Sequence, residues 1–201
     1  GYGQEKDIFL EKYERSISDF FLSWGWKGQK VIPMPMPYPK ALKKFKVKIK
    51  NKYSSFCLFV SWSMNHYYLS HSKMPETYLR DSLTPSYKFL EKISKKKETY
   101  IRLPTFPRFW KEEVYLKKLK NIKFDLHEYE YEKMAFASDF VVNNHFNTTA
   151  LQSISLNIPT FICCNKNYIE FNSVAKKYLN ELISANIFFY NFNNLYNFLN
   201  K

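Results

Sequence analysis

The stretch from Asp139 to Cys164, DFVVNNHFNTTALQSISLNIPTFICC, constrains this chain more than any other. It reads as strand, tight turn, helix, strand. Asp139 to Asn143 is a short apolar, β-rich run, and Asn143 to Phe146 is a polar turn. Asn147, Thr148 and Thr149 are helix-start residues, and Ala150 to Leu156 carries apolar side chains at helical spacing. Asn157 ends the helix ahead of Pro159, and Pro159 to Cys164 is a second buried strand. A helix entered from the carboxyl end of a parallel strand turns free N–H groups and its positive dipole end towards the crevice above the sheet. Anions suit that place, which makes Asn147, Thr148 and Thr149 candidate ligands of a phosphate or pyrophosphate. The same residues also read as a plain N-cap in an α/β domain, and the local sequence favours that plainer reading.

The rest of the chain supplies the setting. Asp7 to Phe21 fits an amphipathic helix, with Ile8, Phe9, Tyr13, Ile17, Phe20 and Phe21 apolar. SWGWKGQKVIPMPMPYPK follows. The alternating Pro33, Pro35, Pro37 and Pro39 exclude helix and central strand and predict a stiff, extended connector, or a surface loop that binds nothing. Trp24 and Trp26, around Gly25, are expected to pack against something. With the lysine run 40–52, the connector predicts a boundary: residues 1–52 as a helix and Pro/Lys-rich connector left from a preceding domain, and 53–201 as one Rossmann-like domain. Within the latter, strands are expected at 54–62, 99–103, 121–125, 139–143, 159–164 and 186–190. Helices are expected at 83–97, 109–119, 129–137, 150–156, 168–184 and 195–200. This alternation predicts an α/β fold with a doubly wound parallel sheet, both faces covered.

Ligands of such sheets bind outside the carboxyl ends of the strands. That rule selects Ser61, Trp62 and Ser63, then Arg102, then Asn143 to Thr149 including His145, and finally Asn165. Arg102 could clamp a diphosphate through two parallel hydrogen bonds, or equally pair with a nearby carboxylate. His145 beside the anion site could bond a ligand, although a histidine in a polar turn is more often a solvated loop residue.

Composition narrows the chemistry. A chain of 201 residues, 45% hydrophobic, can bury one good core, and opening on Gly1 it reads as a fragment or a processed form. The net charge of +13 points towards nucleic acid, but only four of the 31 basic residues are arginine, which makes a solvated lysine surface the better reading. Contact of that surface with anionic lipid headgroups stays open. The absence of a signal pattern or membrane-length apolar run, with the odd set Cys57, Cys163 and Cys164 inside strands, predicts reduced thiols in a cytoplasmic protein, with peripheral contact at the inner membrane open. Four glycines cannot build a Gly-rich phosphate cradle, and no dinucleotide fingerprint, Walker loop, zinc spacing or nucleophile elbow occurs. Glu128, Glu130 and Glu132, beside His127, read as solvated surface. No metal site or cofactor is expected, and no catalytic residue is assigned.

WGW…KVIP, FVSWS, IRLP and the SDFVVNNHFNTTALQSISLNIPTFI…N block together resemble bacterial transferases of surface-carbohydrate gene clusters. More broadly, residues 22 to 190 are similar to the carboxyl-terminal nucleotide-sugar domain of GT-B glycosyltransferases, and CDP-glycerol glycerophosphotransferases share the plan. Asn147, Thr148 and Thr149 stand at the helix-opening motif of that group. Ser155 to Thr160 match its Leu-Ala-Ala-Asn-Ile-Pro-Thr ending, and Arg102, Leu103 and Pro104 match an Arg-Leu-Tyr-Pro segment short of one residue. The chain departs where the turn tyrosine becomes His145 or Phe146, where an arginine is missing around 65–70, and where the amino-terminal half of a GT-B enzyme would stand. The resemblance implies the donor-binding half of a transferase. Its donor would be a nucleotide-sugar or CDP-polyol, and its acceptor a bacterial surface glycan. The alternative from another class is a non-catalytic basic α/β module on nucleic acid or an anionic membrane, for which the lysines at 43–52 and 95–97 speak.

Overall fold

A computed structural model describes residues 9–35, 55–62, 79–105, 112–167 and 169–201. The chain opens with helix α1 (Phe9–Ile17) and a two-stranded parallel sheet of β1 (Phe21–Trp24) and β2 (Val31–Met34). The helix ends at Ile17, earlier than its apolar pattern over 7–21 suggested. Ser18 turns its hydroxyl back onto the Glu14 carbonyl at 2.6 Å, and Phe21 donates to the Lys30 carbonyl at 2.7 Å, which draws the chain into strand. The expected connector is therefore partly a strand. Both strands of a two-stranded sheet are edges, so Pro33 in β2 costs the ladder little. Trp26 packs as expected, beneath Arg15 at 5.6 Å and beside Phe21 at 5.8 Å, whereas Trp24 stays half exposed. The lysine run 40–52 and Pro37 and Pro39 lie outside the described residues.

The larger sheet has six strands, all parallel. They are β3 (Phe56–Val60), β4 (Glu98–Arg102), β5 (Ile122–Phe124), β6 (Phe140–Asn143), β7 (Thr160–Cys163) and β8 (Phe188–Phe189). Their order is β5-β4-β3-β6-β7-β8. The chain winds outwards from β3 to β5, returns to the other side of β3, and winds outwards again. The switch point is thus the pair β3 and β6, from which the connections run to opposite sides of the sheet.

Among the described residues, six helices flank the sheet: α2 (Thr84–Ile93), α3 (Glu112–Leu116), α4 (Tyr131–Ala137), α5 (Thr148–Ser155), α6 (Ser173–Ser184) and α7 (Phe192–Leu199). Every residue of β3 is buried, because strands cover both its edges and helices both its faces. Phe56, Leu58 and Val60 meet Met134, Ala135 and Phe136 of α4 on one face. Cys57 and Phe59 meet Phe89 and Leu90 of α2 and Phe192 and Leu195 of α7 on the other. Phe59, Phe89 and Phe192 form a three-ring contact with centroids 5.3–6.3 Å apart, which holds α2 and α7 side by side. A third cluster joins Ala150 of α5, Ile162 of β7, Leu179 of α6 and Phe188 of β8.

Asparagine sets most of the punctuation. Asn147, Asn172 and Asn191 cap α5, α6 and α7, each accepting from the backbone N–H three residues on. These caps shorten the expected 168–184 helix to begin at Ser173 and lengthen the expected 195–200 helix to begin at Phe192. Asn157 and Asn186 close α5 and α6 with φ of 55° and 56°, the left-handed turn that asparagine tolerates. Helix α2 ends earlier than expected, at Ile93, and is entered through a π-type turn over Leu79–Leu83.

Candidate functional site

At the end of β6 the strand alternation sends Asn143 and Asn144 to opposite faces. Asn143 is completely buried on the α5 face, and its Oδ1 accepts from the Thr149 hydroxyl at 2.9 Å. The same hydroxyl lies 2.6 Å from Asn147 Oδ1, which also accepts from Ala150 N at 3.3 Å. Asn147 therefore satisfies the third amide of α5. The amides of Thr148 and Thr149, at the first two helical positions, have no acceptor within the helix. The Thr149 hydroxyl proton is shared between two asparagine oxygens, so this side chain orients the turn and the exposed Thr148 hydroxyl is the one open to solvent. Beside them Asn143 Nδ2 is buried and has no hydrogen-bond partner among the described residues. A buried amide without an acceptor costs roughly 1–3 kcal/mol, which an oxygen-rich ligand would recover.

Asn144 stitches the switch point. Its Oδ1 accepts from Trp62 N at 2.6 Å, and its Nδ2 donates to Ser61 Oγ at 3.3 Å and the Trp62 carbonyl at 3.4 Å. The Trp62 ring lies on His145, centroids 4.5 Å apart and planes 31° from parallel. Ser61, Trp62, His145 and the α5 turn thus converge as the sequence placed them. Ser63 lies outside the described residues.

Arg102 does not join them. Its Nη1 sits 2.6 Å from Asp125 Oδ2 and 3.2 Å from the Tyr129 carbonyl, with the guanidinium over the Tyr131 ring at 6.0 Å. Both charged side chains are largely enclosed, with 12% and 3% exposed. Asp125 also accepts from His127 N, so the ion pair ties the ends of β4 and β5. Asn165 is similarly engaged: Nδ2 donates to the Asp81 carbonyl of the π-type turn at 3.0 Å, and Oδ1 accepts from Asn167 N at 2.9 Å. The lysines at 95–97 are engaged along the protein's own surface. Lys95 pairs with Glu91, Lys96 lies over Tyr196, and Lys97 pairs with Asp139.

Some features were invisible in the sequence. Glu112, 2% exposed, has neither carboxylate oxygen hydrogen-bonded among the described residues, and neither has the Tyr87 hydroxyl. Burial, then the negative charge of Glu112, pushes the Tyr87 phenol well above its ordinary pKa. Burial likewise holds the Cys57 and Cys163 thiols neutral, so neither is an activated nucleophile. Among the described residues, no three His, Cys, Asp or Glu side chains gather to hold a metal ion, and no helix is long and apolar enough to cross a membrane.

The family model of the LIC12162 family transferases matches residues 1–201. The chain belongs to that family. No curated protein and no solved structure matches it. A LIC12162 family transferase thus carries a six-stranded Rossmann-like sheet, with an open helix N-terminus at the switch point.

Proposed function

We propose that this chain is the donor-binding part of a GT-B-like enzyme that moves a sugar or polyol phosphate from a nucleotide donor to a bacterial surface glycan. One observation carries the reading. Two open amides of α5 and the unpartnered Asn143 Nδ2 stand together at the carboxyl end of β6, beside the switch point of a transferase-family fold. Backbone amides and the helix dipole are fixed in place before the ligand arrives, so they stabilise negative charge on a departing phosphate without reorganisation. Thr148 would add a hydroxyl donor, Thr149 and Asn147 hold the turn, and Trp62 and His145 wall the crevice. Such a site works with phosphate oxygens alone, and the residues present assign no base to the acceptor.

A thermal-shift titration with UDP, CDP, GDP and CMP, with and without Mg²⁺, tests the reading. A nucleotide at about 100 times its Kd adds about 2.7 kcal/mol of stability. One nucleotide should shift the transition, and Thr148→Pro should abolish the shift. Proline at the first helical position removes one amide donor while keeping helical φ, and Asn147 before it is already extended (φ −124°, ψ −173°). Thr148→Ala separates the hydroxyl from the amide. No shift with any nucleotide, or an equal shift in Thr148→Pro, overturns the proposal.

A further inference from the structure

On the opposite face from α5, a cleft of about 300 Å³ opens between α2 and α7 above the carboxyl ends of β6, β7 and β8. It is assembled from four separate segments: the π-type turn and first turns of α2, Asn144, the end of β7, and the α7 entry. Its floor is the neutral Cys163 thiol. Its walls carry the side chains of Ser82, Lys88, Asn165, Tyr190, Asn191 and Asn193. Asn191 spends its oxygen on the α7 cap, and Asn165 is bonded at both ends. Ser82, Lys88, Asn193 and the Asn191 amide nitrogen have no hydrogen-bond partner among the described residues. The π-type turn itself, a geometry frequent at functional sites, is pinned to the end of β7 by Asn165.

We propose that this cleft receives the uncharged, polyhydroxylated group of the donor, a sugar ring or short polyol. The inference rests on the phosphate position proposed at α5. Adjacent residues Asn143 and Asn144 face the two sides of the sheet, so a group attached to a phosphate at α5 has the end of β6 to cross to reach the cleft. A carboxamide offers a donor and an acceptor at fixed separation, which matches vicinal hydroxyls; Asn193 presents both, Asn191 keeps its amide donor, and Ser82 adds a hydroxyl. The volume lies at the lower end of the ~300–1,000 Å³ of small-molecule sites, enough for one ring and not for a whole activated sugar. A nucleobase is the poorer occupant: of the two aromatic rings lining the cleft, Phe192 is buried against Phe59 and Phe89, and Tyr190 is set edge-on to Phe188.

The test is amide and side-chain NMR on the ¹⁵N-labelled full chain. The probes are methyl glucoside, methyl N-acetylglucosaminide and glycerol, which carry no phosphate, against UMP and CMP. A hydroxylated probe should shift Asn165, Asn191 and Asn193 saturably, and Asn193→Ala with Lys88→Ala, both exposed, should weaken that binding about fivefold. The nucleotides should move Thr148 and Thr149 and leave Asn193 in place. Cleft signals that answer to nucleotides and not to sugars, or that answer to neither, overturn the proposal. Silence of Thr148 and Thr149 towards nucleotides would instead overturn the phosphate site and leave the cleft result standing.

Discussion

The carboxyl ends of β4 and β6 lie two strands apart in one sheet, and both present a polar residue of the kind that binds phosphate. At β4 the residue is a full cation, Arg102, and Asp125 has neutralised it at 2.6 Å. At β6 the donors are neutral amides, and two of them remain open above the buried Asn143 Nδ2, which has no partner among the described residues. A guanidinium can be cancelled by a carboxylate arriving from anywhere in the chain. The first amides of a helix can be satisfied locally only by a cap, and Asn147 spends its oxygen on the third amide and the Thr149 hydroxyl. The weaker charge is therefore the one left open.

This contrast can be broken most decisively at Arg102. Arg102→Ala leaves Asp125 buried and uncompensated, and should cost about 3–5 kcal/mol in urea unfolding without changing the nucleotide response of the folded protein. A variant of parental stability with a weakened response would return Arg102 to the ligand. Next in size is the sealed interior under both strand ends. Cys57 and Cys163 have folded pKa values raised above the ordinary 9.0, so unfolding releases protons once the pH passes that value. Stability is fully present below about pH 9 and falls as pH rises above it, by at most about 1.4 kcal/mol per pH unit for each thiol. Cys57→Ala should flatten that slope in a urea series at increasing pH, and an unchanged slope would place the alkaline sensitivity elsewhere.

The caps sharpen the contrast further. Asn147→Ala and Asn191→Ala should each cost about 1 kcal/mol, because both caps make the same bond to the third helical amide. Only Asn147→Ala should also abolish the nucleotide shift, and equal losses in both would deny α5 its special place. The smallest stability effect belongs to Thr148→Pro, within about 0.5 kcal/mol, although its effect on nucleotide binding should be complete.

Much of the fold was legible in the sequence because it is local. The six strands, the turn from Asn143 to Phe146, the helix opening at Asn147 and its stop at Asn157 follow from alternation, capping and the left-handed tolerance of asparagine. The starts of α6 and α7 were misread, one too early and one too late, since apolar periodicity does not mark a cap that only hydrogen bonding reveals. Pro33 was read as excluding a central strand, and it stands in an edge strand.

The chain's sequence by itself therefore determined the order of elements, the parallel sheet, and the open turn that ends β6. Tertiary structure alone decided what each polar side chain meets. Arg102 and Asp125 are 23 residues apart, and Asn144 bonds Trp62 across 82. The cleft between α2 and α7 gathers Lys88, Asn165 and Asn193 from three separate segments. Periodicity carries information over one or two turns of chain, whereas a charge or a carboxamide finds its partner through space, once the winding of the sheet has brought distant loops to one edge.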